Sequence, residues 1–265
     1  MTSRPIVVRP DTNPTESVAE CRTCGAGAPV DEHFCPSCSR ILSLGRHGDF
    51  FAFLGLPRRL NLDTPDLERR FRDLSRKFHP DYFYNAPPAE RLASLERSSY
   101  LNDAFRTLRN PVSRIEHLLA IEGLAPATGD GGNATVPPSL LEEVFELNEQ
   151  LDEIRELREG GADPAQLRQR LDAAKQPIQA RRDEHERRVA ELSERWDQTP
   201  ADAPAAERRA TLDALRECVL ERNYINNLIA TIEREGAATP AEGGQSDTAL
   251  ARRSLDAHRS EAEPR

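Results

Sequence analysis

The sequence has no long apolar run. None of its segments approaches the roughly 20 consecutive apolar residues that a membrane-spanning helix needs. Its N-terminus, MTSRPIVVRPDTNPTESVAE, lacks both the apolar core of a secretion signal and the long basic amphipathic pattern of a transit peptide. We therefore expect a soluble cytoplasmic protein without a membrane partner, or a mitochondrial matrix protein if the source is eukaryotic.

Apolar residues are scarce throughout the chain. They make up 37% of 265 residues, and the mean hydropathy is -0.66. This composition favours several small helical units over one thick core. The net charge of -9 argues against nucleic-acid binding, because phosphates require clustered, uncompensated lysine and arginine. No Ser/His/Asp grouping, phosphate loop or pair of catalytic carboxylates is apparent, so we expect no enzyme activity in this chain.

The domain organisation follows from composition. The run GLAPATGDGGNATVPP is too rich in glycine, proline and small residues to bury a core, and it predicts a linker. Both ends lack helical periodicity and predict disorder. The predicted segments are a disordered N-terminus (1–19), a four-cysteine module (20–45), a helical domain (46–122), a linker (123–137), a helical bundle (138–236) and a disordered tail (237–265).

Four of the five cysteines are clustered near the N-terminus. Cys21, Cys24, Cys35 and Cys38 form two CxxC pairs separated by ten residues. Two such pairs can supply four thiolates to one tetrahedral zinc ion, which a module with almost no core would need in order to fold. A redox dithiol pair and an iron–sulfur cluster are the alternatives, and His33 could compete as a ligand. One structural zinc ion is the preferred interpretation.

A strongly amphipathic helix is predicted after this module. Thr64 can act as its N-cap with Pro65 in the first turn. One stripe consists of Leu67, Phe71, Leu74 and Phe78, and the opposite face carries Arg69, Arg72 and Arg76. Because Pro80 cannot continue a helix, the helix should end at His79.

Two further helices complete this domain. One begins near Pro88, and a shorter one follows Asn110 and Pro111. Their predicted core residues are Leu92, Leu95, Leu101, Phe105, Leu108, Ile115, Leu118 and Leu119. The domain should therefore be a helical hairpin whose loop carries His79, Pro80 and Asp81.

The C-terminal segment repeats apolar residues at three- and four-residue steps. Three seams are predicted: Leu140, Val144, Leu147, Leu151 and Ile154; Leu167, Leu171, Ala174, Ile178, His185, Val189, Leu192 and Trp196; and Leu215, Cys218, Ile225, Ile229 and Ile232. Three such helices predict an antiparallel three-helix bundle. Cys218 should be a buried small apolar residue. The predicted fold class is all-α: a helical hairpin and a three-helix bundle, preceded by a small zinc ribbon.

Three stretches together resemble a known family. The pattern of these stretches resembles a J-domain, and their amino-acid sequences resemble those of the HscB (Jac-type) co-chaperones of iron–sulfur cluster assembly. They are DFFAFLGLP (49–57), FHPDYF (78–83) and LNDAFRTLRNPVSRIEHLL (101–119). The resemblance covers about 49–235. Some relatives also carry a similar cysteine arrangement before the J-domain.

The resemblance implies two binding surfaces. His79, Pro80 and Asp81 would dock on a DnaK-type (HscA-like) chaperone, with Arg69, Arg72 and Arg76 as the positive face. The string FELNEQLDEI (145–154) resembles the part of HscB proteins that holds the iron–sulfur scaffold protein (IscU-like). The implied scaffold-binding residues are Leu141, Glu142, Phe145, Glu146, Glu149, Glu153 and Tyr224, with Leu220 and Leu228 beside Tyr224.

The expected function is therefore that of a co-chaperone. It would stimulate the ATPase of the DnaK-type chaperone and deliver the scaffold protein for cluster transfer. A general J-protein for unfolded clients and a cysteine-based thiol oxidoreductase are the alternatives. The tripeptide could also merely terminate a helix, and the glutamates could be a solvated face beside a wide core stripe.

Overall fold

The computed structural model describes residues 18–29, 32–44, 48–124, 138–200 and 202–237. Most of the predicted disordered N-terminus (1–19), of the predicted linker (123–137) and of the predicted disordered tail (237–265) lies outside these residues. The elements are β1 (Val18–Glu20), β2 (Gly27–Pro29), α1 (Phe50–Phe53), α2 (Thr64–Phe78), α3 (Pro88–Arg109), α4 (Pro111–Ile121), α5 (Leu141–Glu159), α6 (Pro164–Gln198) and α7 (Ala205–Ala237). The predicted all-α class is confirmed. Across the described ranges, no helix is long and apolar enough to cross a membrane.

The chain divides into two compact units. The first comprises Met1–Gly129 and Val189–Val219, and the second comprises Asp130–Arg188 and Leu220–Arg265. Helices α6 and α7 each contribute one part to each unit. The predicted segment boundaries stay predictions, but the bundle segment 189–219 packs with the N-terminal helices.

The core of the first unit is built by α1 to α4. Rings of Phe51, Phe53 and Phe78 are buried there. Helices α2 and α3 pack along their length, and Phe71 stacks on Phe105 with ring centroids 4.3 Å apart. Leu192, Trp196, Leu212, Leu215 and Cys218 from the ends of α6 and α7 complete the core.

Helix α2 follows its predicted pattern closely. Leu67 and Phe78 are buried, and Phe71 and Leu74 are partly buried against the core. The N-cap prediction was wrong by one residue, because Asp63 occupies that position without a side-chain capping bond and Thr64 is already helical. The proline at the first turn fixes φ near its helical value, so the helix can begin without that bond.

Two of the core residues predicted on α3 were wrong. Leu92 and Leu95 are each 55% exposed, whereas Leu101 and Leu108 are buried. The buried stripe consists of Ala93, Arg97, Leu101, Ala104 and Leu108, and Ser94 is buried beside it. The N-terminal half of this stripe therefore contains no large apolar residue, and the positions of the large apolar residues alone predicted the wrong buried face.

The second unit has a core of its own. It consists of Leu140, Leu147, Leu151, Ile154, Leu167, Leu171, Ala174, Ile178, Ile225 and Ile232. Ion pairs join its helices at the surface, including Arg155 with Glu235 at 2.5 Å and Lys175 with Glu233 at 3.6 Å. Most residues of the apolar seams predicted for α5 and for this part of α6 and α7 are buried, whereas Val144 and Ile229 are only partly buried.

Candidate functional site

The His79-Pro80-Asp81 tripeptide forms an exposed turn between α2 and α3. Helix α2 ends at Phe78, and His79 adopts an extended backbone (φ -57°, ψ 125°), as a residue before proline does. A short 3-10 helix then spans Pro80–Phe83. The side chains of His79 and Asp81 are 51% and 86% exposed, so a partner protein can reach both.

Local hydrogen bonds stabilise the turn. The Asp81 backbone N–H donates to His79 Nδ1 at 3.3 Å, and the same ring nitrogen lies 3.5 Å from Asp81 Oδ2. Behind the turn, the hydroxyls of Ser94 and Ser98 on α3 donate to the Phe78 carbonyl at 2.6 and 3.0 Å. These two bonds satisfy a carbonyl that the helix end leaves without an intrahelical donor.

The predicted basic face of α2 is exposed, but it is partly neutralised. Side chains of Arg69, Arg72 and Arg76 are 59%, 63% and 75% exposed. Each has a carboxylate partner on the same helix: Asp66 and Asp73 for Arg69, Glu68 for Arg72 and Asp73 for Arg76. Exposed pairs of this kind are weak, so the arginines can exchange partners at little cost. The positive field is nevertheless lower than the arginine count suggested.

The four clustered cysteines lie within metal-binding distance of one another. All their sulfur atoms fall within 4.8 Å, with Cys21 Sγ 3.8 Å from Cys38 Sγ and Cys24 Sγ 3.7 Å from Cys35 Sγ. A regular tetrahedron of thiolates around zinc, with bonds of about 2.3 Å, has edges of about 3.8 Å. These distances far exceed a disulfide bond of about 2.05 Å. The cluster can therefore hold a metal ion.

Each CxxC pair lies in the same kind of tight turn. In the first turn, Cys21 N–H donates to Ala26 O and Gly25 N–H donates to Cys21 O. In the second turn, Cys35 N–H donates to Arg40 O and Ser39 N–H donates to Cys35 O. All four distances are 2.8 Å. Gly25 and Ser39 occupy equivalent left-handed positions, with φ of 74° and 57°. Glycine tolerates that conformation without strain, whereas serine does not.

In these turns, backbone N–H groups donate hydrogen bonds to the cysteine sulfur atoms. Those of Cys24 and Thr23 lower the pKa of Cys21 to about 6, and those of Cys38 and Ser37 lower the pKa of Cys35. At Cys38 the Arg40 N–H favours the thiolate, but burial and the other three sulfurs raise its pKa to about 12. Four thiolates this close repel one another, and a bound cation would remove that repulsion.

The residues predicted to bind a scaffold protein lie in the second unit. Along α5, Leu141 and Phe145 are 42% and 72% exposed and lie one helical turn apart, so they form neighbouring apolar side chains on one face. Around them, Glu142, Glu146, Glu149 and Glu153 are exposed. Leu220, Tyr224 and Leu228 on α7 are partly buried. An exposed phenylalanine among carboxylates can anchor a partner protein.

Two clusters were missed by the sequence analysis. The first anchors the end of α6: Trp196 Nε1 donates to Arg58 O at 2.8 Å, and Asp197 accepts from the backbone N–H groups of Leu60 and Asn61 at 2.6 and 2.8 Å. The second centres on Arg97, which is 1% exposed on α3. Its burial could have been predicted from the sequence, because Ala93, Arg97 and Leu101 follow one another at four-residue steps and so share one face of the helix.

Comparisons with known proteins support the fold. No protein-family model matches the chain. The crystal structure of human co-chaperone protein HscB is similar with a TM-score of 0.56 and 24% identity, covering 82% of this chain and 98% of that one. Chaperone HscB from Vibrio cholerae matches with a TM-score of 0.45 and 26% identity, over 70% and 98% of the two chains. The likeness to the human protein establishes a shared all-α fold.

Proposed function

We propose that this chain is a J-domain co-chaperone that stimulates the ATPase of a DnaK-type (HscA-like) chaperone and delivers an iron–sulfur scaffold protein (IscU-like) to it. In this proposal ATP is hydrolysed by the partner chaperone and not by this chain. The proposed location is the cytoplasm. The exposed His79-Pro80-Asp81 turn at the tip of the α2–α3 hairpin carries the proposal. The fold shared with human co-chaperone protein HscB supports it.

The turn is suited to docking on another protein. Its side chains are exposed, while its backbone is held from behind by the two serine bonds to Phe78 O. Such a surface loses little conformational entropy on binding. Arg69, Arg72 and Arg76 lie on the helix that leads into the turn, and they would orient the encounter with an acidic partner.

The α5 surface would hold the scaffold protein. Phe145 and Leu141 would supply most of the affinity by entering apolar pockets on the partner. The carboxylates of Glu142, Glu146, Glu149 and Glu153 would select a partner with complementary basic groups, and Tyr224 on α7 would add a further contact. The two proposed surfaces lie in different compact units.

Zinc is the proposed metal of the four-cysteine site. Cys21, Cys24, Cys35 and Cys38 would hold it as thiolates, and their sulfur separations fit its tetrahedral preference. The ion would supply folding free energy to the module. Its role is structural in this proposal.

The first prediction concerns the turn. We expect the full chain to stimulate the steady-state ATPase of the cognate DnaK-type chaperone, and scaffold protein to increase that stimulation further. His79→Gln should lower the stimulation by at least about tenfold, because a docking contact worth more than about 1.4 kcal/mol is lost. Asp103→Asn, an exposed change on α3, is the control and should behave as wild type.

The outcomes separate the alternatives. Stimulation that does not respond to scaffold protein indicates a general J-protein for unfolded clients. Absence of stimulation by the wild-type chain contradicts the proposal. Since His79 is half exposed, the thermal unfolding of His79→Gln should match that of wild type, which excludes misfolding as the cause.

The second prediction concerns the α5 surface. Phe145→Asp should weaken binding of the scaffold protein by about tenfold to a hundredfold, because the exposed ring is the proposed central anchor. Gln150→Asp adds the same charge about 140° around the helix and should leave binding unchanged. Isothermal titration calorimetry with the scaffold protein measures both. Equal affinity of the two variants would exclude Phe145 as an anchor.

A further inference from the structure

The residue that precedes the exposed turn is buried by the four-cysteine module. Phe78 is 0% exposed, and its ring meets His33 edge-on at 5.0 Å and stacks near Phe34 at 6.0 Å between centroids. Both His33 and Phe34 belong to the loop between the two cysteine pairs. The module therefore contacts the last residue of α2 directly, one residue before His79.

Arg97 joins the module to α3 at the same place. Its guanidinium lies 5.7 Å from the Phe78 ring centroid and is almost completely buried. Nε donates to Leu42 O at 2.8 Å, and NH2 lies 3.4 Å from the carbonyls of Glu32 and Ser43. All three acceptors are backbone atoms of the module segment 32–44.

His33 extends this contact to α1. Its Nδ1 lies 2.7 Å from Arg97 NH1, and its Nε2 lies 3.0 Å from Phe53 O. Because an arginine can only donate, Nδ1 must accept, and the Nε2–H then donates to the carbonyl. The module therefore holds Arg97 on one side and α1 on the other.

The buried charge makes this contact sensitive to the fold of the module. Burial lowers the pKa of Arg97 to about 10, so the group remains charged at neutral pH. A buried guanidinium without acceptors is strongly unfavourable. If the module unfolds, Arg97 loses its acceptors and must move towards water, which takes it away from Phe78. Ser94 and Ser98, which hold Phe78 O, flank Arg97 on the same helix.

We propose that the metal-bound module positions the His79-Pro80-Asp81 turn, with His33 and Arg97 as positioning residues that act through Phe78. The proposal rests on the function proposed above for that turn. Loss of the metal is then expected to reduce chaperone stimulation even though the sequence of the His79-Pro80-Asp81 turn is unchanged. The contact passes through the rings of His33 and Phe34 and through backbone carbonyls of the module.

The test compares Arg97→Met with Arg40→Ala in the full chain. Met fills a similar volume but cannot donate to the three carbonyls. Arg40 also links the module to α3, through Glu90 at 3.3 Å, but its side chain is 53% exposed. The readouts are hydrogen exchange of segment 79–83, bound metal per chain, and chaperone ATPase rate against co-chaperone concentration.

For Arg97→Met we expect about tenfold faster exchange in segment 79–83 and about a tenfold rise in the concentration for half-maximal stimulation, with the maximal rate retained. Arg40→Ala should match wild type in all readouts. Loss of folded protein alone would raise the half-maximal concentration only in inverse proportion to the folded fraction, so that fraction is measured by far-UV circular dichroism and the concentration is corrected for it. Wild-type exchange and half-maximal concentration in Arg97→Met overturn the proposal.

Removal of the metal from the wild-type chain with a chelator is the second arm of the test. Because it needs no substitution, it remains informative if Arg97→Met does not fold. Removing the metal should accelerate exchange in segment 79–83 as Arg97→Met does, and adding zinc should restore slow exchange. Unchanged exchange after complete metal removal overturns the proposal. If the wild-type chain does not stimulate the chaperone, the proposed function fails, while the exchange measurements still decide whether the module positions the turn.

Discussion

Replacing Cys35 by serine is expected to abolish tight metal binding by the full chain. The wild-type protein should contain one zinc ion per chain, and Cys35→Ser should bind it at least about a hundredfold more weakly. The reason lies in the composition of the module, whose buried apolar residues in the described ranges 20–29 and 32–44 are few: Cys21, Ala28, Cys35 and Ile41. Such a small core cannot offset the entropy of ordering the loops, so metal binding must contribute the difference.

Two quantities are measured: the metal content per chain, by mass spectrometry, and the stability of the module, by hydrogen exchange at increasing temperature. Ser37→Ala is the matched control, because this serine is exposed between the two cysteines of the second CxxC pair and its replacement leaves all four thiols in place. It should retain one metal ion and lose only modest stability. Full metal content in Cys35→Ser would contradict the assignment of that thiolate as a ligand.

The same samples separate the three interpretations of the cysteines. A zinc protein is colourless, whereas an iron–sulfur cluster absorbs visible light. A redox dithiol would be alkylated rapidly in the intact metal-bound protein, while thiolates coordinated to zinc in a structural site should react slowly. Rapid alkylation with metal still bound would therefore favour the thiol oxidoreductase alternative.

Trp196→Ala should produce the largest loss of stability in the first unit, about 3 to 5 kcal/mol. The indole is 6% exposed, donates to Arg58 O at 2.8 Å, and lies under the Arg208 guanidinium at 4.9 Å from the ring centroid. Its neighbour Asp197 caps the backbone N–H groups of Leu60 and Asn61. Removing the ring opens a cavity where the end of α6 meets the loop before α2.

Urea denaturation followed by far-UV circular dichroism measures this loss, since Trp196 is the only tryptophan and fluorescence would disappear with it. Trp196→Phe is the control: it keeps most of the packing but removes the indole donor, and should cost about 1 to 2 kcal/mol. A loss below about 1 kcal/mol for Trp196→Ala would mean that the end of α6 contributes little to this unit.

Local sequence signals predicted much of what the structure contains. The spacing of Leu67, Phe71, Leu74 and Phe78 identified the buried face of α2, and Pro80 located its end. The two CxxC pairs predicted a metal site that the structure brings within ligand distance. These predictions succeed because helical period, proline geometry and ligand spacing operate over a few residues.

Leu92, Leu95 and Arg97 show where such signals mislead. The two leucines are exposed and the arginine is buried, the reverse of their average preferences. Arg97 can be buried because carbonyls from the module, more than 50 residues away in sequence, accept its hydrogen bonds. That compensation is visible only once the two segments are brought together.

The sequence by itself determined the all-α class, the exposed His79-Pro80-Asp81 turn and the four-cysteine cluster, because each depends on interactions within a short stretch of chain. Only the tertiary structure decided that segment 189–219 shares a core with the N-terminal helices, and that the cysteine module packs on Phe78. Periodicity specifies which face of a helix is apolar, but it does not specify which distant segment covers that face. The partner is selected by shape and by hydrogen-bond acceptors that converge only in the folded chain.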